Sequence, residues 1–326
     1  MEPVYIFSSG FLRRKNETLV LETEQGSKYI PVENVSEIKI FGEVDINKRA
    51  LEFLTEKSIV VHFFNYYGYY VGTFYPREHL NSGYVILKQA EFYLNPAKRL
   101  NLAKKFVFGA IKNAINVLKS RNENLESEIK KIQEHLSLID KCDSIEQLMA
   151  IEGNVKEIYY SCFDKILQGS DFVFERRTRQ PPENELNAMI SFGNSLLYTS
   201  VLSEIYKTHL DPRIGYLHTT NNRRFTLNLD VAEIFKPVIV DRLIFALVNR
   251  KQIKKNDFEP IVNGLVLKEK ARQTFIRAFE DRLKETVYHR SLKRNVSYRS
   301  LIRMEIYKIE KHLMEDEEYK PYIFEG

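Results

Sequence analysis

The chain opens with short runs of β-branched and aromatic residues that are separated by turn residues. Such runs are typical of strands, and Asn-Tyr-Tyr-Gly at 65–68 is expected to join the last two as a hairpin. Apolar residues between 45 and 56 recur instead at helical spacing, which predicts one short helix. We therefore expect a small β domain, similar to a β-sandwich, over residues 1–76. The predicted strands are 4–7, 18–21, 28–32, 37–41, 59–64 and 69–74.

The pattern changes after residue 76. Turn-forming residues at Pro76, Asn81-Ser82-Gly83 and Asn95-Pro96 predict a linker over residues 77–96. From residue 97 onward, apolar residues recur every three or four positions, as helices require. The chain is thus expected to have an α+β fold, in which a larger all-α domain over residues 97–326 follows the β domain. Helices are predicted over 97–118, 121–139, 184–208, 229–249, 267–288 and 297–314, and another begins at Ser144 as its N-cap.

Length and composition narrow the class of protein. The 326 residues are enough for two domains and a sizeable core. The chain has no long uncharged apolar run and no signal-peptide pattern, so we expect neither a membrane span nor secretion. Cys142 and Cys162 are the only cysteines, which excludes a zinc site made by thiolates alone and suits a reducing, cytoplasmic setting.

The net charge of +5 is modest, but Lys and Arg are clustered along the chain. Clusters of this kind either form a positive face for phosphates or belong to solvated helix faces. If they bind nucleic acid, the chain has several candidates for contacts with DNA. These candidates are Lys104, Lys105, Arg176, Arg177, Arg179, Arg223, Arg224, Lys236 and Arg242.

The most specific chemical pattern joins one histidine to acidic residues. His218 is followed twelve positions later by Asp230 and then by Glu233, and a helix would place the two acids on one side. Neighbouring carboxylates repel each other, and a cation relieves that repulsion. Glu152, on a separate predicted helix, is the natural third carboxylate if the fold brings it close. Oxygen ligands suit Mg²⁺ and Mn²⁺, and an imidazole shifts the preference toward Mn²⁺.

Each of these residues also has a purely structural interpretation. His218 can be a hydrogen-bonded core histidine, and Glu152 can be a solvated or paired helix residue. Asp230 can stabilise the start of its helix through the helix dipole. Pro237 lies four residues after Glu233, whose carbonyl its ring would meet, so the helix is expected to kink there.

Separated sequence blocks also occur in an order that is known from one family, and over nearly its whole length the chain resembles CRISPR-associated protein 1. That family comprises metal-dependent DNA endonucleases and integrases. Several separated blocks in the same order are far more specific than any single motif. The matching blocks include Tyr75-Pro76, Glu152-Gly153, Arg179-Gln-Pro-Pro182, residues 210–218, residues 227–233, Asp241-Arg242, Asn263-Gly264 and residues 298–301.

The resemblance implies roles for individual residues. It assigns Glu152, His218 and Glu233 as ligands of Mg²⁺ or Mn²⁺, and it gives Asp230 a supporting place in the active site. It further implies that the β domain forms a homodimer. Two dimers would flank a dimer of the small second CRISPR-associated protein in a heterohexamer. This complex would insert short double-stranded DNA into a repeat array by 3′-hydroxyl attack.

Some positions depart from the family pattern, and two other functions stay open. Lys156 and Lys236 stand where arginine is common, so they keep the charge but lose the bidentate fork. One alternative is a non-catalytic DNA-binding subunit of the adaptation complex. The other is a helical scaffold that binds only protein.

Overall fold

Two compact units make up the fold, residues 1–81 and residues 82–326. The structure is a computed structural model that describes residues 2–77, 80, 82–121, 124–179, 181–220 and 225–325. Strands form most of the first unit and helices most of the second, so the predicted α+β class is confirmed.

The first unit contains two four-stranded sheets, with the strand orders β1-β5-β7-β8 and β4-β3-β2-β6. The strands are β1 (Glu2–Ile6), β2 (Gly10–Lys15), β3 (Thr18–Thr23), β4 (Gly26–Ile30), β5 (Val35–Ile40), β6 (Val44–Ile46), β7 (Val60–Phe64) and β8 (Tyr70–Phe74), with helix α1 (Lys48–Glu56) before β7. The predicted hairpin joins β7 to β8, where the Asn65 side chain accepts hydrogen bonds from the backbone N–H groups of Tyr67 and Tyr69, both at 3.0 Å.

Both sheets and α1 contribute to one hydrophobic core in this unit. Leu12, Ile38 and Phe53 are among its fully buried members. A buried ion pair lies on β5, where Lys39 Nζ is 2.9 Å from Glu37 Oε1 and both side chains are inaccessible to solvent. Charges buried at this depth require partners, and in this pair each group neutralises the other.

The second unit is mostly helical. Its helices are α2 (Gly83–Leu94), α3 (Pro96–Lys119), α4 (Glu126–Leu136), α5 (Ile145–Ser161), α6 (Phe163–Ile166), α7 (Glu185–Ile205), α8 (Leu227–Phe235), α9 (Arg242–Asn249), α10 (Glu269–Lys284) and α11 (Tyr298–Leu313). The predicted N-cap of α5 is confirmed, since Ser144 Oγ accepts a hydrogen bond from the Gln147 N–H. Helix α7 is apolar nearly all round and is buried, as a central helix of a domain is expected to be.

The segment that was predicted as a linker differs from the expectation. Residues 83–94 form α2, and α3 follows almost at once. The turn-forming residues are in fact helix caps: Ser82 Oγ accepts from the Val85 N–H, and Asn95 Oδ1 accepts from Ala97 and Lys98, with Pro96 as the first residue of α3. Ser and Asn favour turns and N-caps for the same reason, because their side chains bond nearby backbone N–H groups.

The second unit is also not entirely helical. It contains two small antiparallel hairpins, one directly before α10 and one directly after it. Their strands are β9 (Phe258–Ile261) with β10 (Gly264–Leu267), and β11 (Thr286–His289) with β12 (Arg294–Ser297). The β11–β12 strands are too short to produce the long alternation by which a sequence reveals a strand.

The predicted interruption at Pro237 takes a definite form. Between α8 and α9, residues Lys236–Asp241 form a π-helical turn. A proline has no N–H to donate, and its ring cannot lie against the carbonyl four residues earlier, so the helix widens by one residue per turn. Helix α8 packs against α3 and α7, which places the end of α8 inside the unit.

Candidate metal centre

Two glutamates that are 81 positions apart in sequence meet inside the helical unit. Glu152 lies in the middle of α5, and Glu233 lies near the end of α8. Both are buried, and both contact one cation, the ammonium group of Lys156. Lys156 Nζ is 2.9 Å from Glu233 Oε2 and also contacts Glu152 Oε1. The fold thus brings two of the predicted ligands together around a single positive charge.

A second lysine completes the neutralisation of Glu233. Lys236 Nζ lies 2.5 Å from Glu233 Oε1, so each carboxylate oxygen of Glu233 contacts an ammonium group. Burial alone would favour the neutral carboxyl, but the charges of Lys156 and Lys236 outweigh it and hold the pKa of Glu233 well below its usual range. Glu233 is therefore an anion despite being fully buried.

Asp230 has a different role from that of Glu233, although both belong to α8. Its carboxylate points to the loop that precedes the helix and does not cap α8. Its partners are the backbone N–H groups of Tyr216 (2.5 Å), Leu217 (3.0 Å) and His218 (3.0 Å) and the ring nitrogen Nδ1 of His218 (2.7 Å). One buried carboxylate thus fixes three consecutive residues of the loop.

The same loop needs a glycine close to α8. A Cβ on Gly215 would lie 2.7 Å from the Thr226 carbonyl carbon and 2.9 Å from the Thr226 Cβ. The Gly215 N–H instead donates to Thr226 Oγ1 at 2.9 Å. This close approach lets the loop run beside the start of α8, where Asp230 can reach it.

His218 is oriented by Asp230 and lies near Glu233. Burial by itself lowers the pKa of the His218 imidazole, but the hydrogen bond to Asp230 and the charge of that carboxylate outweigh it and raise the pKa. The positive charge of His218 in turn helps to lower the pKa of Glu233. Since Nδ1 donates to a carboxylate, the other ring nitrogen, Nε2, is the one that can bind a ligand.

A small cavity lies beside the two glutamates. Its volume is about 30 Å³, and its lining includes Glu152, Glu233, Lys156 and the neighbours Tyr159 and Asp241. Space of this size holds roughly one or two water molecules. Burial raises the pKa of Asp241 to about 7, above its ordinary value of 3.8, so this carboxyl group gains a proton far more readily than Glu233 does.

A second cavity in the helical unit is lined by arginines. Its volume is about 300 Å³, and the described residues that line it are Arg121, Arg242, Arg250 and Arg282 with Phe245, Ala246 and Asn249. Among the lining residues that the structure describes, none is acidic. Guanidinium groups pair geometrically with phosphates, so this cavity suits an anion.

The C-terminal segment supports α8 from another side. The ring of Tyr322 stacks on that of Phe235 with centroids 5.5 Å apart. Asn113 donates to the carbonyls of Ile234 (2.8 Å) and Tyr322 (3.0 Å) and accepts from the Phe324 N–H (2.7 Å). Helix α3 and the C-terminal segment therefore both hold the turn of α8 that carries Glu233.

The predicted DNA-binding residues lie in different environments. Arg176 and Arg179 are exposed, whereas Arg177 turns inward to Asn187 Oδ1 (2.9 Å) and Ser191 Oγ (3.1 Å). Lys104 donates to the Asp140 carbonyl at 2.9 Å.

Three further candidates are engaged by specific partners, and two cannot be placed. Lys105 pairs with Glu318, and Lys236 pairs with Glu233. Arg242 lies over the Phe324 ring at 4.5 Å. Arg223 and Arg224 lie outside the described residues.

The donor set suits a divalent ion, but not in its present arrangement. Within the described ranges, no group of three or more His, Cys, Asp or Glu side chains is arranged to hold a metal ion. Glu152 and Glu233 nevertheless converge on one cation, with the imidazole of His218 nearby. Two carboxylates and an imidazole are ligands that Mg²⁺ or Mn²⁺ accepts. The residues therefore fit such an ion at the position of the Lys156 ammonium.

Sequence reasoning did not assign Lys156 to the centre, although a signal was present. Lys156 follows Glu152 by four positions, and residues at that spacing lie on the same side of a helix. Its contact with Glu233 depends on the packing of α5 beside α8, which no local pattern reveals.

Comparison of the sequence with known proteins identifies the protein family. The sequence matches the family described as CRISPR associated protein Cas1 over residues 4–281. It is 60% identical to "CRISPR-associated endonuclease Cas1 2" of Thermodesulfovibrio yellowstonii, covering 98% of each chain. It is 55% identical to "CRISPR-associated endonuclease Cas1" of Thermotoga maritima, covering 96% of this chain and 97% of that protein.

Solved structures of other proteins share the fold of this chain. The structure of a CAS1 protein from Thermotoga maritima superimposes with a TM-score of 0.92 at 53% identity, covering 98% of this chain and all of that one. A casposase bound to an integration product shares the fold, with a TM-score of 0.84 at 19% identity over 98% of this chain and 93% of that one.

The fold and the relatives together define a CRISPR-associated endonuclease. The chain belongs to the Cas1 family. In the described part of the chain, no helix has the length and apolar character that crossing a membrane requires.

Proposed function

We propose that this Cas1 protein is a metal-dependent DNA endonuclease and integrase that inserts short DNA fragments into a CRISPR array. In this proposal Glu152, His218 and Glu233 hold Mg²⁺ or Mn²⁺. The observation that carries the proposal is the convergence of the two buried carboxylates of Glu152 and Glu233, from separate helices, on one partly buried cation.

The residues around the ligands support specific tasks. A divalent ion held there would polarise a phosphate oxygen and stabilise the charge that develops at phosphorus. Asp230 holds His218 with Nε2 available, and it fixes the loop on which His218 lies. Lys236, which is buried against Glu233, keeps that carboxylate ionised. Asp241 lines the adjoining cavity and can accept a proton near neutral pH.

The proposed substrate is double-stranded DNA, whose phosphates require positive partners. The cavity lined by Arg121, Arg242, Arg250 and Arg282 supports this part of the proposal. The exposed Arg176 and Arg179 are further candidates for phosphate contacts. Binding of this kind weakens steeply as salt rises, because each neutralised phosphate releases counterions.

The proposed assembly follows the family. A homodimer would form through the β domain, and two such dimers would bind the small second CRISPR-associated protein in the prokaryotic cytoplasm. A structure named as a Cas6-RT-Cas1–Cas2 complex contains a chain of the same fold, with a TM-score of 0.87 at 17% identity over 36% of that longer chain. The shared fold makes a partner of the Cas2 kind a reasonable one to test.

The decisive experiment compares carboxamide and alanine variants in Mn²⁺-dependent DNA cleavage and strand integration. Glu152→Gln, Glu233→Gln and His218→Ala are each expected to reduce both activities by more than about 100-fold, because loss of a ligand exceeds the usual effect of outer residues. Glu157→Gln is the matched control, since Glu157 is exposed on the same helix as Glu152. Full activity of His218→Ala would remove the proposed ligand set.

A second candidate is a non-catalytic DNA-binding subunit. The contact of Lys156 with both glutamates favours it, because an internal ammonium group already neutralises these acids. This candidate predicts salt-sensitive DNA binding with no cleavage in either Mg²⁺ or Mn²⁺, and with no change when Glu233 becomes Gln.

A further inference from the structure

We infer that Lys156 is an internal counter-ion of the metal centre, which occupies the metal position in the metal-free protein and leaves it when a divalent ion binds. The affinity of the centre is then set by competition between the ion and this side chain. The inference rests on the proposed function, and it adds a device that regulates loading of the same site.

The contacts of Lys156 place its ammonium group where an ion would be held. Its Nζ contacts Glu152 Oε1 and lies 2.9 Å from Glu233 Oε2, so it uses one oxygen of each proposed carboxylate ligand. An ion coordinated by both carboxylates requires direct contact with oxygens of the same two groups. An ammonium group and a divalent ion cannot share that position, because both charges are positive and both need the same lone pairs.

The balance of charge gives the direction of the exchange. Glu152 and Glu233 carry two negative charges, and Lys156 and Lys236 carry two positive charges, so the four groups are neutral together. A divalent ion added to all four would leave two excess positive charges in a buried place. Departure of one ammonium group halves that excess.

Lys156 is better able to leave than Lys236. The Lys156 side chain keeps 25% of its accessible surface, whereas that of Lys236 keeps 8%. Lys236 has a further contact, since its Nζ lies 4.9 Å from the centre of the Tyr198 ring. Lys156 therefore has a route to solvent along α5, and its flexible four-carbon stem allows the movement.

The test measures Mn²⁺ binding by titration calorimetry on the full chain. Lys156→Met is expected to bind Mn²⁺ at least tenfold more tightly than the wild type, a difference of about 1.4 kcal/mol. Lys236→Met removes one positive charge beside Glu233, as Lys156→Met does, but it does not vacate a position between the two carboxylates. Its gain in Mn²⁺ affinity is therefore expected to be smaller. Lys165→Met is the surface control, because Lys165 pairs with Glu128 and its side chain is 51% exposed.

Three results would overturn the inference, and they separate it from the proposed function. Lys156→Met binding Mn²⁺ within twofold of the wild type would contradict it, as would a gain in Lys236→Met that equals or exceeds that of Lys156→Met. In both cases, a loss of binding in Glu233→Gln would leave the proposed ligand set standing. If Glu233→Gln binds Mn²⁺ like the wild type, the ligand set itself is wrong and the inference falls with it.

Chemical labelling reports the movement directly. Amine acetylation followed by mass spectrometry is expected to modify Lys156 at least severalfold faster in saturating Mn²⁺ than without metal, since its ion pairs are released. Lys236 labelling should change little. An unchanged or lower Lys156 rate in Mn²⁺ would show that the ammonium group does not leave.

Discussion

The clearest test of the site architecture is the substitution Asp230→Asn. It changes one carboxylate oxygen into an NH₂ group and removes a buried negative charge. Each oxygen of Asp230 accepts two hydrogen bonds from the 216–218 loop, with Oδ2 receiving two backbone N–H groups and Oδ1 receiving one backbone N–H group and the His218 ring. With the NH₂ group at the Oδ2 position, two backbone N–H donors face a donor; at the Oδ1 position, the His218 N–H faces a donor and the His218 ring has to change its tautomer.

The loss of stability follows from the hydrogen bonds that the substitution breaks. Hydrogen bonds to a charged acceptor contribute about 1.5–3 kcal/mol each, and a buried donor left without an acceptor costs about 1–3 kcal/mol. Two such losses, partly relieved by movement of the loop, predict a decrease of about 3–5 kcal/mol in the free energy of unfolding. Little solvent is available to compensate, because Asp230 is fully buried.

Urea unfolding followed by circular dichroism measures this decrease, and amide hydrogen exchange locates it. Exchange should accelerate at Tyr216, Leu217 and His218 in the variant. Asp171→Asn is the control, since Asp171 is exposed, and its stability should stay within about 0.5 kcal/mol of the wild type. If Asp230→Asn unfolds at the wild-type urea concentration and the three amides stay protected, the carboxylate does not hold the loop.

Other predictions concern groups around the site and in the β unit. Because the pKa of Asp241 is raised from 3.8 to about 7 in the folded protein, the wild type should lose stability as pH rises through 7. Between pH 4 and pH 8, the free energy of unfolding of Asp241→Asn, measured in urea titrations, should therefore rise relative to that of the wild type by on the order of 2–4 kcal/mol. A difference between the two proteins that does not depend on pH would refute this. Gly153→Ala should raise the free energy of unfolding by up to about 1 kcal/mol, because a Cβ there meets no neighbouring atom, and a lower melting temperature would contradict it. Asn113→Ala removes three hydrogen bonds, two of them buried, and should lower the free energy of unfolding by about 2–4 kcal/mol; an unchanged midpoint of urea unfolding would contradict this. Lys39→Met leaves the buried Glu37 carboxylate without its ammonium partner and should lower the free energy of unfolding by about 3–5 kcal/mol. A melting temperature equal to that of the wild type would contradict this.

The sequence predicted those parts of the fold in which a side chain bonds the backbone of residues close to it in the chain. The hairpin at Asn65 was predictable because the Asn65 side chain accepts hydrogen bonds from the backbone two and four residues ahead. The start of α5 was predictable for the same reason, since Ser144 bonds the backbone three residues ahead. The same chemistry misled at Ser82 and Asn95, which cap helices and do not mark a linker. Capping and turn formation use the same side-chain bonds, so only the packing of the following residues decides between them.

The site was predictable in its residue types and not in its contacts. The spacing of Asp230 and Glu233 indicated two acids on one helix, yet their side chains serve different partners because the loop and α5 approach α8 from different directions. The place of Lys156 between Glu152 and Glu233 depends on tertiary packing. So does the inward turn of Arg177, which bonds Asn187 and Ser191 of α7. Sequence-local rules contain no information on which surfaces the helices bury against each other.

The most direct measurement of the central claim is the anomalous diffraction of Mn²⁺ in crystals of the full chain. We predict one strong peak within coordination distance of Glu152, His218 and Glu233, at the position now occupied by the Lys156 ammonium group, and no such peak in Glu233→Gln. A Mn²⁺ ion bound elsewhere in crystals of protein that cleaves DNA, with Lys156 still paired to both glutamates, would contradict the claim.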